Sequence, residues 1–349
     1  MATAAQRRIK SVSYAKYGYL FTAPFFIVYF IFMFWPLLQT FILAFYGNGV
    51  GEKLDAAGTS INCFVGTQNF KTILVGGTDF LSMGAHDDFF QYFKNTIIIW
   101  VGNFFPQIAL SLLLAVWFTD LRVKMPGKGF FKVVMYMPNI ITAASVAGLF
   151  MTLVGDSKYS VLNVFLMNRG MEEPLQLATG EWSSRFIVMF IQIWMWFGNT
   201  MIMLMSGIQG INESLFEAAE IDGANSTQTF WRITFPLLKT IMVYTLLTSM
   251  IGGLQMFDIP FMFHTGNIIN QYLATVAVFI YDKFHKNYMS PSYGYSAAAS
   301  VILFVITSIL GALVFWVQRD KDAMELAKKR RQAVKEWKRK QKRGGGFSI

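Results

Sequence analysis

Residues 213–236 read ESLFEAAEIDGANSTQTFWRITFP, a polar stretch lying between apolar runs near 185–209 and 237–264. Ser214 followed three residues later by Glu217 fits a capping box, and Leu215 to Ile221 form a short helix. Gly223 can take the left-handed conformation that stops such a helix. A second helix is predicted to begin near Asn225 or Ser226 and to meet Pro236, where the next apolar run begins. The local product is a helix, a glycine turn and a helix. On these residues alone it is either a return loop carrying a capping glutamate or a docking element.

The flanking runs decide the class. A bilayer core takes about 20 apolar residues per helix, and six stretches reach that length, near 18–46, 90–118, 130–154, 185–209, 237–264 and 294–317. The first is over-long and holds Pro24 and Pro36, so a tilted or kinked helix is expected. Hydrophobic residues are 54% of the chain and charged residues 14%, against about 25% charged in soluble domains. The fold class read from this pattern is an all-α membrane protein, a single six-transmembrane-helix bundle. Its divisions are an amino-terminal segment 1–17, the bundle 18–318 with the loop 210–236, and a tail 319–349.

Lys and Arg in the loops set the orientation. Arg7, Arg8, Lys10 and Lys16 precede the first run, Arg122, Lys124, Lys128 and Lys132 follow the second, and Lys328, Lys329, Arg330 and Arg331 open the tail. These segments are predicted to be cytoplasmic, with both termini inside. Loops 47–89, 155–184 and 265–293 are poor in Lys and Arg for their length, carry Asp87, Asp88, Glu172 and Glu173, and are predicted outside. The formal charge of +10 could suggest nucleic acid, but much of the excess sits in the tail, where it reads as a segment facing anionic membrane lipid. The tail from Met324 to Lys342 has helical composition with too few apolar positions for a packed face. Cys63 is the one cysteine, which excludes an internal disulfide and multi-cysteine metal motifs. No removable signal peptide is read in the first sixteen residues.

With this orientation the loop 210–236 is cytoplasmic, and its acidity on a positive face calls for something that docks there. Glu217, Ala218, Ala219, Gly223, Ile233 and Pro236, with Asp222 and Ala224, resemble the EAA signature of binding-protein-dependent ABC transporter permeases. YLFTAPFFIVYFIFMFWPLL at 19–38, FVGTQNF at 64–70, Asn95–Thr96, MYMPNII at 135–141, GIQGI at 207–211 and GYSAAASVILFVI at 294–306 resemble the sugar-importer subfamily. The amino-terminal pattern looks more like the first of its two paired permeases. The resemblance implies a six-helix importer bundle with a cytoplasmic coupling helix. Glu217 would be the charged contact to an ATPase subunit, Ala218 and Ala219 small residues for close approach, Asp222 part of the motif and Gly223 the turn. It also implies a second homologous permease, two ATPase subunits that hold ATP-Mg, an extracellular solute-binding protein, a saccharide substrate and a prokaryotic cell membrane. The chain departs from the family pattern at 262–267, MFHTGN, where a GGP-like turn would follow the fifth span.

No nucleotide site is legible, because Gly127, Lys128 and Gly129 lack the GxxxxGK[ST] frame that cradles phosphates. The chain therefore carries no cofactor and no catalytic residue in this reading, and hydrolysis falls to another polypeptide. Polar side chains within spans are the candidates for a solute path. Gln192, Trp196, Asn199 and Met203 recur at helical spacing in the fourth run, where an aromatic face could stack on a sugar and amides could meet its hydroxyls. Helix packing and interface anchoring are the competing roles for them. Gln255 joins the path candidates, while Asn103, Gln107 and Asp258 fit bracing equally well. His86, His264 and His285 have no metal-ligand spacing. A glycerol phosphate or polyol permease is the alternative within the class, and a self-sufficient secondary transporter the alternative outside it. The latter would call for inverted repeats or several intramembrane carboxylates, and neither is evident.

Overall fold

The computed structural model describes residues 15–47, 53–54, 60–61, 63–77, 84–120, 126–263, 270–285, 293–318 and 329–336. The basic residues Arg7, Arg8, Lys10, Arg122 and Lys124, His264, most of the 262–267 turn and most of the tail lie outside them.

In chain order the helices are α1 Ala15–Tyr29, α2 Trp35–Leu43, α3 Gln68–Val75, α4 Ala85–Thr119, α5 Lys128–Tyr136, α6 Ala143–Val154, α7 Val161–Met167, α8 Glu181–Gln209, α9 Glu213–Ile221, α10 Ser226–Thr229, α11 Phe235–Leu237, α12 Lys239–Leu254, α13 Asp258–Met262, α14 Val276–His285 and α15 Tyr293–Gln318. Among the described residues five helical stretches are long and apolar enough to cross a membrane: Tyr17–Leu43, Ala85–Thr119, Glu181–Gln209, Lys239–Met262 and Tyr293–Trp316.

The run placed at 130–154 is broken. Lys128–Ile140 and Ala143–Val154 meet at 91°, and counted together they make a sixth candidate. The cause is local. Pro138 turns the end of α5 into a 3-10 segment, Met137–Ile140, and Ile141 and Thr142 are extended. Thr142 then caps α6 by accepting from the Ser145 amide.

Proline also explains two wide turns. π-helical segments Phe30–Phe34 and Phe230–Thr234 each end two residues before a proline, Pro36 and Pro236. The Trp35 and Phe235 amides reach back to the Phe30 and Phe230 carbonyls. A proline withdraws one amide and crowds the carbonyl four residues earlier, and an opened turn relieves both effects. The expected kink in the first span is thus a bulge within a continuous span.

The described residues fall into two units. One is drawn from Met1–Asp88 and Ile280–Ile302. The first span belongs to it, and no residue of the span's most apolar window is buried. Its loop holds two short antiparallel pairs not expected from the sequence, β1 (Tyr46–Gly47) with β4 (Cys63–Phe64) and β2 (Lys53–Leu54) with β3 (Ser60–Ile61). Asn69 on α3 donates to the Ala44 and Tyr46 carbonyls. Gly294 lies so close to the Tyr46 carbonyl and Asn69 that a β-carbon would collide with both.

The other unit, Phe89–Phe279 and Leu303–Ile349, is organised along α8. Val188, Ile191 and Met195 join Ile99, Val146, Ile259, Phe263 and Leu273 in one apolar core. Further along, Met201, Leu204, Met205 and Ile208 join Ala115, Phe118 and Leu238 in a second. Between the cores runs a polar belt: Gln107 donates to Thr200 at 2.9 Å and Ser111 to the Phe197 carbonyl at 2.8 Å. Such bonds hold helices together where lipid gives no hydrophobic drive. In the same belt Gly198 abuts the backbone of Met135 and Tyr136, so the absent side chain lets α5 touch α8.

Candidate functional site

The loop after α8 forms the helix, turn and helix read from the sequence, with different caps. Asn212, not Ser214, caps α9, its side chain accepting from the Ser214 amide, and α9 therefore starts at Glu213. The capping box lies one helix later, where Asn225 and Gln228 exchange side-chain and backbone bonds. Asparagine caps as well as serine does, and the nearer of two candidates is not fixed by pattern alone.

The end of α9 is a Schellman motif. The Ala224 amide bonds to the Ala219 carbonyl at 2.9 Å and the Gly223 amide to the Glu220 carbonyl at 3.0 Å. Gly223 has φ +73°, and nothing lies within 4 Å of a β-carbon placed on it. The glycine is thus needed for backbone conformation rather than for packing.

Glu217, Ala218, Asp222 and Gly223 are exposed, whereas Ala219 is buried against this chain. The sequence reading missed the apolar part of this surface. Ile221 is 87% exposed and Leu215 43%, among the exposed carboxylates of Glu213, Glu217, Glu220 and Asp222. Among the described residues no salt bridge engages these four acids. An apolar tip ringed by free carboxylates is suited to a cleft that is apolar within and basic at its rim.

The solute-path candidates separate. Trp196 is 47% exposed and Asn199 is exposed three residues on, so the two share an open strip of α8. Gln192 is buried and Met203 half-buried. Gln255 is exposed at the end of α12, and Asp258 is exposed in the first turn of α13. Asn103 donates to the Ile99 carbonyl of its own helix, and Gln107 donates to Thr200 and so braces α4 against α8. Beyond Asn199, Ile202 joins Lys132, Val133, Tyr136, Met137 and Ile140 around a groove of about 190 Å³. His86 bonds with the Ile73 carbonyl and His285 with that of Tyr281.

One charged residue was overlooked at the start of the fourth run. Arg185 is 3% exposed. It donates to Glu181 at 2.7 Å, to the Asn95 side-chain oxygen at 2.9 Å and to the Tyr272 carbonyl at 3.2 Å. Its i, i+4 relation to Glu181 was the available signal.

Residues 96–322 match the family described as binding-protein-dependent transport system inner membrane component. The chain belongs to this family. Among curated members it is 28% identical to the lactose transport system permease protein of Rhizobium radiobacter, over 92% of this chain and 100% of that one. It is 27% identical to the arabinooligosaccharides transport system permease protein of Bacillus subtilis, over 89% and 92%. It is 32% identical to the sn-glycerol-3-phosphate transport system permease protein of Agrobacterium fabrum, over 85% and 92%. The crystal structure of a bacterial ABC transporter involved in the import of the acidic polysaccharide alginate shares the fold. Its TM-score is 0.68 and its identity 22%, covering 87% of this chain and 98% of that one. The loop 213–236 and the broken third run both fall within the family match, and so does Arg185.

Proposed function

We propose that this chain is a permease subunit of an ATP-driven importer that carries a saccharide, most simply an oligosaccharide, across a prokaryotic cell membrane. It spans six times with both termini cytoplasmic, the bent pair α5 and α6 forming one span. Helix α9 is the coupling helix. The observation that carries this reading is the exposed α9 surface, with Ile221 at its tip and four acids around it that no salt bridge among the described residues engages, on a helix that Gly210–Asn212 join to the end of α8 and the Gly223 turn joins to α10. A soluble motor can move a bundle only through an element rigid at both ends, and here the Asn212 cap holds one end of α9 and the Schellman motif the other.

In this reading two ATPase subunits bind ATP-Mg and close, and α9 transmits closure to α8. A second homologous permease completes the path and an extracellular solute-binding protein loads it. The chain itself holds no nucleotide and catalyses no reaction. Trp196 and Asn199 offer the solute an aromatic face and an amide that both donates and accepts, with Gln192 and Gln255 as further polar groups. Arg185 does not serve an anionic solute, because it is buried and three of its five N–H groups already bond Glu181, Asn95 and Tyr272. That favours an uncharged sugar over glycerol phosphate, although a glycerol-phosphate permease is among the relatives and keeps that substrate as the second reading.

The test is the reconstituted transporter carrying Glu217→Ala or Gly223→Ala. Either substitution should lower solute-stimulated ATP hydrolysis and uptake. In Gly223→Ala the cause is a left-handed residue that costs alanine about 1–2 kcal/mol. Wild-type hydrolysis and uptake in both variants would refute the role of α9.

A further inference from the structure

The end of α8 remote from α9 holds a polar node that the importer reading leaves without a task. Arg185 bonds Glu181 on its own helix, Asn95 on α4 and the Tyr272 carbonyl. The Asn95 amide nitrogen in turn donates to the Gln271 carbonyl at 2.7 Å and the Ala274 carbonyl at 3.1 Å. Thr96 accepts from the Val276 amide, Thr275 donates to the Met256 carbonyl, and Asn270 donates to the Ala178 carbonyl. The rings of Trp182 and Tyr272 flank the guanidinium at 5.2 and 5.8 Å. The turn at 270–276 is thereby tied to α4, to α8 and to the break that follows α12.

A buried guanidinium is tolerated only when its donors are met, and its planar fork fixes the direction of each bond. The node therefore holds in one geometry rather than sliding. α8 contains no proline and runs unbroken from Glu181 to Gln209, so at about 1.5 Å per residue roughly 36 Å of stiff helix separates Arg185 from the α9 loop. A rod fastened at one end to a docking helix and at the other to a turn must move both together.

We infer that Arg185 is a positioning residue that locks the 270–276 turn to α8, so that displacement of α9 is delivered to the far face of the bundle. This rests on the importer reading. Without the lock α9 still answers the ATPases, but the far face no longer follows, and hydrolysis proceeds without matching transport.

The experiment is the ratio of solute imported to ATP hydrolysed, measured on the complete transporter in proteoliposomes for wild type, Arg185→Gln, Arg185→Lys and Asn95→Asp. A coupling free energy of ordinary size corresponds to a ratio lowered at least about fivefold in Arg185→Gln. Arg185→Lys should fall between, because a single ammonium cannot reach all three acceptors. Asn95→Asp keeps the acceptor for the guanidinium and removes the two donors to the turn, so it should lower the ratio even if Arg185→Gln does not assemble. A purely structural role would lower both fluxes with the amount of complex and leave their ratio unchanged. An unchanged ratio in the assembled variants overturns the inference, and so does failure of both Arg185→Gln and Asn95→Asp to assemble. Wild-type uptake that consumes no ATP would instead overturn the importer reading itself.

Discussion

Gly198→Ala tests whether the contact between α5 and α8 is as close as described. Gly198 lies inside α8, where alanine is intrinsically favoured over glycine by about 1 kcal/mol. Propensity alone therefore makes the variant more stable. The packing has the opposite sign. A β-carbon at 198 would collide with the Met135 carbonyl oxygen and stand 2.8 Å from the Met135 carbonyl carbon and 2.9 Å from the Tyr136 α-carbon. These are backbone atoms of a neighbouring helix and cannot swing aside as a side-chain tip can. Overpacking of this kind costs about 1–3 kcal/mol. With no flexible neighbour to yield, the upper end applies, and the net loss is about 2 kcal/mol. At roughly 2–4 °C per kcal/mol the melting temperature should fall by about 4–8 °C. Gly148→Ala is the internal control, since Gly148 lies in α6 with nothing within 4 Å of the added carbon; it should hold or raise the melting temperature. The assay is thermal unfolding of the assembled complex in detergent, followed by size-exclusion chromatography. If Gly198→Ala melts as high as Gly148→Ala, the contact that seats the broken third run on α8 is wrong.

Two further predictions concern function. Ile221→Ser should leave stability within about 0.5 kcal/mol, because the side chain is 87% exposed, while recovery of the ATPase subunit with the purified permease drops sharply; unchanged recovery would remove Ile221 from the docking surface. Trp196→Ala and Asn199→Ala should raise the solute concentration needed for half-maximal uptake without weakening assembly, since both side chains stand on the open strip of α8; unaltered uptake curves in both would take that strip out of the path.

Much of the fold was legible because membrane spans are written in long apolar runs, and the glycine turn because Gly223 has few conformational alternatives. The positive φ at Gly223 and the second helix from Ser226 follow from residue type and spacing. The 91° break was less legible. Pro138 was visible, yet proline alone does not tell a kink from a full turn, and Thr142 had to compete as a cap within an otherwise apolar run. Serine and asparagine cap alike, so the choice of Asn212 over Ser214 rested on geometry that spacing does not carry. The exposure of Ile221 was illegible for a similar reason, because an isoleucine on a short helix is ordinarily counted toward a core. Arg185, at a span's edge, was overlooked. Its partners Asn95 and Tyr272 lie 90 and 87 positions away, and pairing over such separations has no periodic trace.

The central claim is tested most directly by purifying this chain from its native membranes in mild detergent and assaying what accompanies it. The account predicts a second permease and an ATPase with a phosphate-binding loop, and, in liposomes, saccharide uptake that requires both ATP and the solute-binding protein. Recovery of this chain alone, moving solute down or against a gradient without ATP, would contradict it.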